Sequence, residues 1–380
     1  MTSPAPQRVA LACCGLGHVR RGNETWAHTV AEALHAAGEP ITLFTGGPLQ
    51  AAVPIAPVWN IPRDTRWLSR FSWHHRYMLE QKTFFWALNR KLNRGTHDIV
   101  HVADPQVAWW FRKRSATTGI PTIYKDGLLL GPQWMSNFAW NQVLAPFYKS
   151  EGERLGFDVR RWFVIPHLVD VQQFQPAADK SADQEKILGK RLDPSALVLL
   201  AVGALGAGNN KRLDYVAREV ASLGVTSTHL VVAGQASPVE RAEFEQRFRP
   251  VLGDRLHLLT NVSSAEMPSV YRCADAFVHG ALREPFGIVF IEAMASGLAV
   301  AAHEFEVTRW IVGEGGEIGN LNEAGRLASV IRGWIANPAE RMALGHKARD
   351  RAVRAFSPGQ IVPHYREMYA TIRAETGGDR

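Results

Sequence analysis

The chain reads as an α/β protein made of two successive doubly wound units, and three observations lead there. Apolar runs of strand length alternate with stretches of helical periodicity, the alternation restarts past the middle, and 380 residues exceed what one hydrophobic core usually organises. Two domains of roughly 180 residues each follow as the expectation.

The first set opens with "RVALACC" (8–14) as a buried strand. Asn23 to Ala37 follows as a helix ended by Gly38, and then come "ITLFT" (41–45), "DIVHVA" (98–103) and "PTIYK" (121–125) as further strands. The second set begins at "ALVLLAVGAL" (196–205). A helix from about Lys211 to Leu223 precedes "THLVVAG" (228–234), a helix from Pro238 to Phe248 precedes "LHLLT" (256–260), and "AFVHG" (276–280) leads to a helix over Ile288 to Ser296 stopped by Gly297. Between the sets, "FQPAADKSADQEK" is polar and reads as a flexible boundary around residues 175–187. The expected domains are therefore 1–175 and 188–356, followed by a C-terminal helix and tail over 357–380. Two such units imply a ligand cleft at the carboxyl ends of the strands.

Composition narrows the function classes. Hydrophobic content of 46% with 21% charged residues describes an ordinary globular protein and excludes disorder. Val9 to Cys14 is too short for a signal-peptide core, and no window approaches the roughly 20 apolar residues of a membrane span, so the expected location is cytoplasmic. Three cysteines, two of them adjacent at Cys13 and Cys14, give no disulfide framework and read as small core residues. The net charge of +7 concentrates between Arg63 and Arg114, where eleven Lys and Arg face four acids. An anionic lipid or an acidic substrate fits that surplus; nucleic acid fits less well, because no recognised binding module accompanies it.

Two Gly-loop chemistries compete in the first set. A strand, a glycine turn and a helix N-terminus can hold a dinucleotide or a sugar nucleotide equally well. The dinucleotide reading needs a carboxylate about twenty residues on, at the end of the second strand. "ITLFTGG" ends without one, and Gly15, Gly17 and Gly22 fit the G-x-G-x-x-G spacing poorly. A turn that needs only backbone freedom remains the plain alternative. In the second set, "EPFGIVFIEAMASG" (284–297) puts Glu284 in a loop and Glu292 inside an apolar helix. Such pairs arise by chance in a chain with 36 acids, but a carboxylate among "IVFIEAMA" would need a partner.

These stretches together resemble a known family. "ADAFVHGALREPFGIVFIEAMASGLAV" (274–300) is similar to the donor-site signature of the retaining family-four glycosyltransferases of the GT-B fold, also called glycosyl transferases group 1. "RGNETWAHTVAEALHAAG" resembles the family's G-G-x-E helix, "DIVHVADP" its D-V-V-H strand, "VIPHLVDVQQFQP" its interdomain crossover, and "AVGALGAGNNKRLD" its V-G-R-L and K-G segment. The collinear order covers most of the chain. The resemblance implies two Rossmann-like domains facing a central cleft, acceptor-binding first and donor-binding second, with the last helix crossing back to the first.

By resemblance, Glu284 contacts the transferred sugar, Glu292 the ribose, and Lys211 the diphosphate, with Lys211 and Glu284 the catalytic pair. Gly203, Asn210 and the backbone of Phe286, Gly287, Ile288 and Val289 complete the donor site, and Gly22 brings an amide to the diphosphate. The resemblance further implies retention by front-face attack with no covalent protein nucleophile. It implies no cofactor, and no Asp-x-Asp motif suits a metal. The donor, a nucleoside-diphosphate sugar, is a substrate, and the acceptor is a small molecule, a glycan or a lipid-linked sugar.

Several positions depart from the pattern. Ala204 stands where the family has arginine, so a diphosphate cation is missing unless Arg212, Arg20 or Arg21 replaces it. His167 and Leu168 replace the crossover's Asn and Gly, and His279–Gly280 replaces a Pro–Ser pair. Where many members carry a strand-end histidine, this chain offers Lys125 and Asp126; with His18 these are the acceptor-side candidates, each equally readable as an ordinary loop residue. Residues 67–95 are aromatic and basic, with Tyr77, Phe84, Phe85, Leu88 and Leu92 on one helical stripe. That segment reads as a core-packing helix, as a contact for an anionic membrane, or as an aromatic platform for an acceptor through Trp67, Trp73 and Trp86. Two rival functions remain at this stage: a sugar-nucleotide epimerase or hydrolase of the same fold, and a nonenzymatic sugar-nucleotide-binding protein.

Overall fold

The computed structural model describes residues 8–19, 21–92, 97–206 and 208–377. The chain forms two compact units, one of residues 1–168 with 358–380 and one of residues 169–357.

The first unit holds a seven-stranded sheet of β1 (Val9–Cys13), β2 (Ile41–Thr45), β3 (Ile55–Pro57), β4 (Ile99–Val102), β5 (Thr122–Lys125), β6 (Trp140–Val143) and β7 (Trp162–Val164), in the order β3-β2-β1-β4-β5-β6-β7. Neighbours run parallel, for example Leu11 beside Leu43 on one side and His101 on the other. Strand order reverses between β1 and β4, and this switch point is where such sheets bind ligands. Every residue of β1 is buried, as a strand covered on both faces requires.

One layer of that cover combines Trp26, Val30 and Leu34 of helix Gly22–Ala36 with Ile361, Tyr365, Met368, Tyr369 and Ile372 of the C-terminal helix Pro358–Gly377. The last helix is thus part of the first unit. Its register is set by polar pairs inside the apolar layer. Trp26 Nε1 and Gln142 Nε2 each donate to the Tyr365 hydroxyl at 2.9 Å, and His101 Nδ1 lies 3.0 Å from the Tyr369 hydroxyl. Burial, reinforced by the nearby Lys125 charge, pushes the His101 imidazolium down to about 3, so the ring is neutral at physiological pH.

The second unit holds six parallel strands, β8 (Leu197–Val202), β9 (Thr228–Gly234), β10 (Leu256–Thr260), β11 (Ala276–Val278), β12 (Ala299–His303) and β13 (Gly316–Gly319), in the order β10-β9-β8-β11-β12-β13. Its switch point lies between β8 and β11. Helix Leu213–Ala221 packs Leu213, Val216, Ala217 and Val220 onto the sheet, joined by Phe244, Phe248 and Leu252 of helix Pro238–Leu252.

The structure differs from the sequence-based expectation at four points. The polar stretch taken as a flexible boundary contains helix Lys180–Leu188, capped by Asp179 and fixed to the second unit by Lys180–Asp275 at 2.7 Å and Arg272–Asp183 at 2.9 Å. Its polar residues are there to pair with partners on that unit. The units divide at Leu168 and Ser357, so residues 169–175 fall in the second. Helix Pro238–Leu252 runs four residues past Phe248, because Leu252 continues the buried row of Phe244 and Phe248. Strands β3, β6, β7, β12 and β13 carried no clear signal: two have three residues, β6 buries Asn141 and Gln142, and the alanines of β12 read equally as helix.

Replacing Tyr365 with Phe is expected to cost about 1–3 kcal/mol, because it strands the buried Trp26 donor and one of the two amide hydrogens of Gln142, whose other bond, to Ile165 O, remains. Urea unfolding of the first unit's transition measures it; an unchanged midpoint would show that those donors find other partners.

Candidate functional site

Two loops leave the carboxyl ends of β8 and β11, the adjacent strands on either side of the switch point, and their polar groups converge. The loop after β8 passes through Gly203 and reaches Lys211 just before helix Leu213–Ala221. A Cβ at Gly203 would lie 2.7 Å from the Lys211 Cγ, so the glycine leaves the lane along which the lysine stem runs. Lys211 N donates to Asn209 Oδ1 at 3.0 Å, and Arg212 completes the turn at a left-handed φ of 50°.

The loop after β11 begins at His279, whose amide still continues the sheet to Ala301 O at 2.9 Å. At Gly280 a Cβ would stand 2.7 Å from Arg212 O and 3.0 Å from Lys211 O, so the two loops approach backbone to backbone. Glu284, only 4% exposed, then reaches between them. Its Oε1 forms an ion pair with Lys211 Nζ and lies 3.1 Å from His279 Nε2. Burial alone would raise the Glu284 carboxyl, but the hydrogen bond and charge of His279 and the Lys211 ammonium outweigh it and hold the group at about 2. His279 is fixed in turn by Phe277, stacked at 5.9 Å, and by Phe290, edge-on at 4.9 Å.

Beyond Glu284 the chain turns at Gly287, φ 83°, and enters helix Ile288–Ala295. A side chain there would be strained and would meet the Phe290 ring 2.7 Å away. The amides of Ile288 and Val289 precede the first backbone bond of that helix, Phe290 N to Gly287 O at 3.0 Å, and with the helix dipole they favour an anion. Glu292 sits one turn further in. It keeps some surface, while its carboxyl group lies among protein atoms and accepts from the Tyr271 hydroxyl at 2.6 Å. Burial pushes it up to about 7 despite that hydrogen bond.

The structure thus joins Lys211, Glu284 and Gly203, and sets Gly287, Ile288, Val289 and Glu292 on the following turn and helix. Phe286 enters the core against Trp310 and Phe356, which withdraws its side chain from any ligand. Asn210 is exposed, and the turn is closed by Asn209, a residue the sequence reading passed over. His279 and Tyr271 were also missed as partners: Tyr271 lies 21 positions before Glu292, outside any short motif. Arg212, considered as a substitute for the cation absent at Ala204, directs its guanidinium to Gly280 O at 3.3 Å and Leu321 O at 3.5 Å, over the Tyr215 ring. Arg21 is exposed, and Arg20 lies outside the described residues.

The remaining candidates belong to the first unit, at the carboxyl ends of its strands. Gly22 opens helix Gly22–Ala36 on the surface, with nothing within 4 Å of the place a Cβ would take. His18 Nε2 lies 2.5 Å from Glu80 Oε1, while Arg63 Nε donates to the other Glu80 oxygen at 2.5 Å. Lys125 is buried, donates to Asn23 Oδ1 at 2.9 Å, and lies over the Trp26 ring; desolvation brings its ammonium down to about 8. Asp126 accepts from Leu128 N at 3.1 Å and is raised by burial. Glu80, Arg63 and Asn23 complete this group without having been singled out in the sequence.

Fold and site together define a GT-B protein, two Rossmann-like units of parallel sheet with charged groups at a switch point. Residues 196–337, which carry that site, match the family described as Glycosyl transferases group 1, and the chain carries the domain of this family. The D-inositol 3-phosphate glycosyltransferase of Kineococcus radiotolerans is 28% identical over 247 residues, 59% of this chain and 55% of that protein. The chain spans between a third and about half of the length of the first curated relatives it matches. Among solved structures, the sucrose-phosphate synthase of Thermosynechococcus elongatus superposes with a TM-score of 0.79 at 20% identity over 97% of this chain and all of that one. Anabaena HepE in complex with UDP-glucose superposes at 0.74 with 15% identity, over 97% of this chain and 99% of that one.

The raised Glu292 carboxyl has a stability consequence. The folded chain holds that proton up to about pH 7 and the unfolded chain releases it near 4.5, so stability falls as pH rises between those values. Glu292→Gln removes this slope, by up to about 3 kcal/mol across the window. Melting temperature against pH for both proteins checks it, and parallel curves would count against the burial of Glu292.

Proposed function

We propose that this protein is a retaining glycosyltransferase that moves a sugar from a nucleoside-diphosphate sugar to an acceptor hydroxyl. The observation that carries the reading is the Lys211–Glu284 pair at the β8/β11 switch point, in the loops that precede the N-terminus of helix Ile288–Ala295. The resemblance of residues 274–300 to a donor-site signature supports it, as does the likeness in fold to a protein solved with UDP-glucose.

In this reading the Lys211 ammonium and the helix amides receive the diphosphate, and the ammonium stabilises the charge that grows on it as the glycosidic bond breaks. Glu284 stays ionised through the physiological range and accepts hydrogen bonds from sugar hydroxyls. Glu292 accepts from the ribose. The acceptor oxygen bonds to the anomeric carbon on the face the diphosphate leaves, and its proton passes to a departing phosphate oxygen, so no protein nucleophile or metal enters the step. His18, Lys125 and Asp126 are the candidates to hold the acceptor.

Calorimetric titration with uridine, guanosine, adenosine and thymidine diphosphates and with NAD tests the donor assignment. One nucleoside diphosphate is expected to bind, and Glu292→Gln to weaken it. Binding of NAD alone, or of nothing, sinks the reading. Once a donor is in hand, Lys211→Ala should lower kcat by about 10²–10³-fold, and Gly203→Ala should lower it in the same direction by displacing the lysine stem. A Lys211→Ala enzyme with full kcat would remove the lysine from the mechanism. Ala204 favours one second reading, a hydrolase that uses water as acceptor; release of free sugar from the donor at the same rate with and without acceptor would establish it.

A further inference from the structure

Among the described residues, all five exposed large aromatic side chains lie between positions 59 and 86: Trp59, Trp67, Phe71, Trp73 and Trp86. The same stretch, extended to the end of helix Trp73–Lys91, exposes five cations, Arg66, Arg70, Lys82, Arg90 and Lys91, against one exposed acid, Asp64. The stripe expected to pack inward does so through Tyr77, Phe84 and Leu88, which are buried. The opposite face carries Lys82, Trp86 and Arg90 at successive four-residue steps.

The preceding segment is fastened alongside this helix. Lys91 Nζ donates to Pro57 O at 2.6 Å, Ile61 N to Thr83 Oγ1 at 3.0 Å, and Arg63 Nε to Glu80 Oε2 at 2.5 Å. Rising numbers in the segment meet falling numbers in the helix, so Trp59 is held beside its C-terminal half. Trp59 is 67% exposed and Trp86 56% exposed. Tryptophans left this far in water are costly unless something covers them.

We propose that this face of the first unit docks on an anionic phospholipid surface. Indole rings favour the headgroup layer, where an apolar body and a polar edge are both satisfied, and the interleaved cations supply attraction to anionic lipid. The occupant is chosen by charge complementarity: five exposed cations against one exposed acid match an anionic surface. No helix among the described residues is long and apolar enough to cross a membrane, and the contact proposed lies at the surface. The inference is independent of the glycosyltransferase reading.

Co-sedimentation of the full chain with phosphatidylcholine vesicles, with and without phosphatidylglycerol, is the test. Binding is expected to the anionic vesicles and to fall with added salt. Lys82→Gln/Arg90→Gln should weaken it by about fivefold per cation removed. Trp59→Ser/Trp86→Ser should weaken binding and abolish the blue shift of tryptophan emission on vesicle addition. Circular dichroism and nucleoside-diphosphate titration of each variant separate a folding defect from a docking defect. The proposal is overturned if wild type ignores anionic vesicles at low salt, binds both vesicle types equally, or is matched by folded variants. It is also overturned if the wild type is dimeric and the tryptophan variant monomeric, since a second copy would then be the occupant.

Discussion

The second unit's site depends on keeping one buried carboxylate charged. Taking Glu284 out of water disfavours its ionised form, and an isolated carboxylate in such a place would bind a proton. Lys211 and His279 reverse that balance. Their demands propagate: the lysine must pass the end of β8, which leaves no room for a side chain at Gly203, and the loop that carries it must touch the loop after β11, which leaves none at Gly280. Arg212 takes a left-handed turn to let the next helix begin. Each of these features looks arbitrary alone and follows from the pairing.

Glu284 and Glu292 lie eight positions apart and sit in opposite electrostatic surroundings. The first has a cation and a histidine and is held at about 2; the second has one phenol and rises to about 7. Environment therefore separates two chemically identical side chains by several orders of magnitude in proton affinity. The one that remains charged lies beside the lysine. The other accepts a hydrogen bond from the Tyr271 hydroxyl. A single helix and the turn before it supply both surroundings.

What the sequence revealed and what it withheld divide along physical lines. The long apolar strands β1, β8 and β9 and the glycine-ended helices were legible because burial on both faces and left-handed caps leave marks in composition. Lys211, Glu284 and Glu292 became candidates through resemblance of whole stretches, and the fold pairs the first two. The partners were not: Tyr271, His279, Asn209, Glu80 and Arg63 hold the named residues from distant or unpatterned positions, and only the folded chain brings them there. The polar stretch before β8 misled because a helix that buries salt bridges has the composition of a linker. Strand β6 was hidden for a related reason, since Asn141 and Gln142 spend their polarity on backbone carbonyls and on Tyr365 inside the core.

The two units solve one problem in the same manner. At the switch point of the first sheet, Asp104 follows β4 and accepts from the backbone of Cys14, after β1, at 2.7 Å. At that of the second, Glu284 follows β11 and pairs with Lys211, after β8. In each case a carboxylate beyond the later strand bonds to a group beyond the earlier one and ties the two loops across the place where strand order reverses. Parallel strands end there with outward-pointing backbone groups and no crossover helix directly between them, so something polar must close the gap. The first unit uses a backbone donor and leaves Asp104 raised by burial; the second uses a lysine and leaves Glu284 depressed. The difference lies in the partner: a neutral amide does not offset the burial of a carboxylate, and an ammonium does.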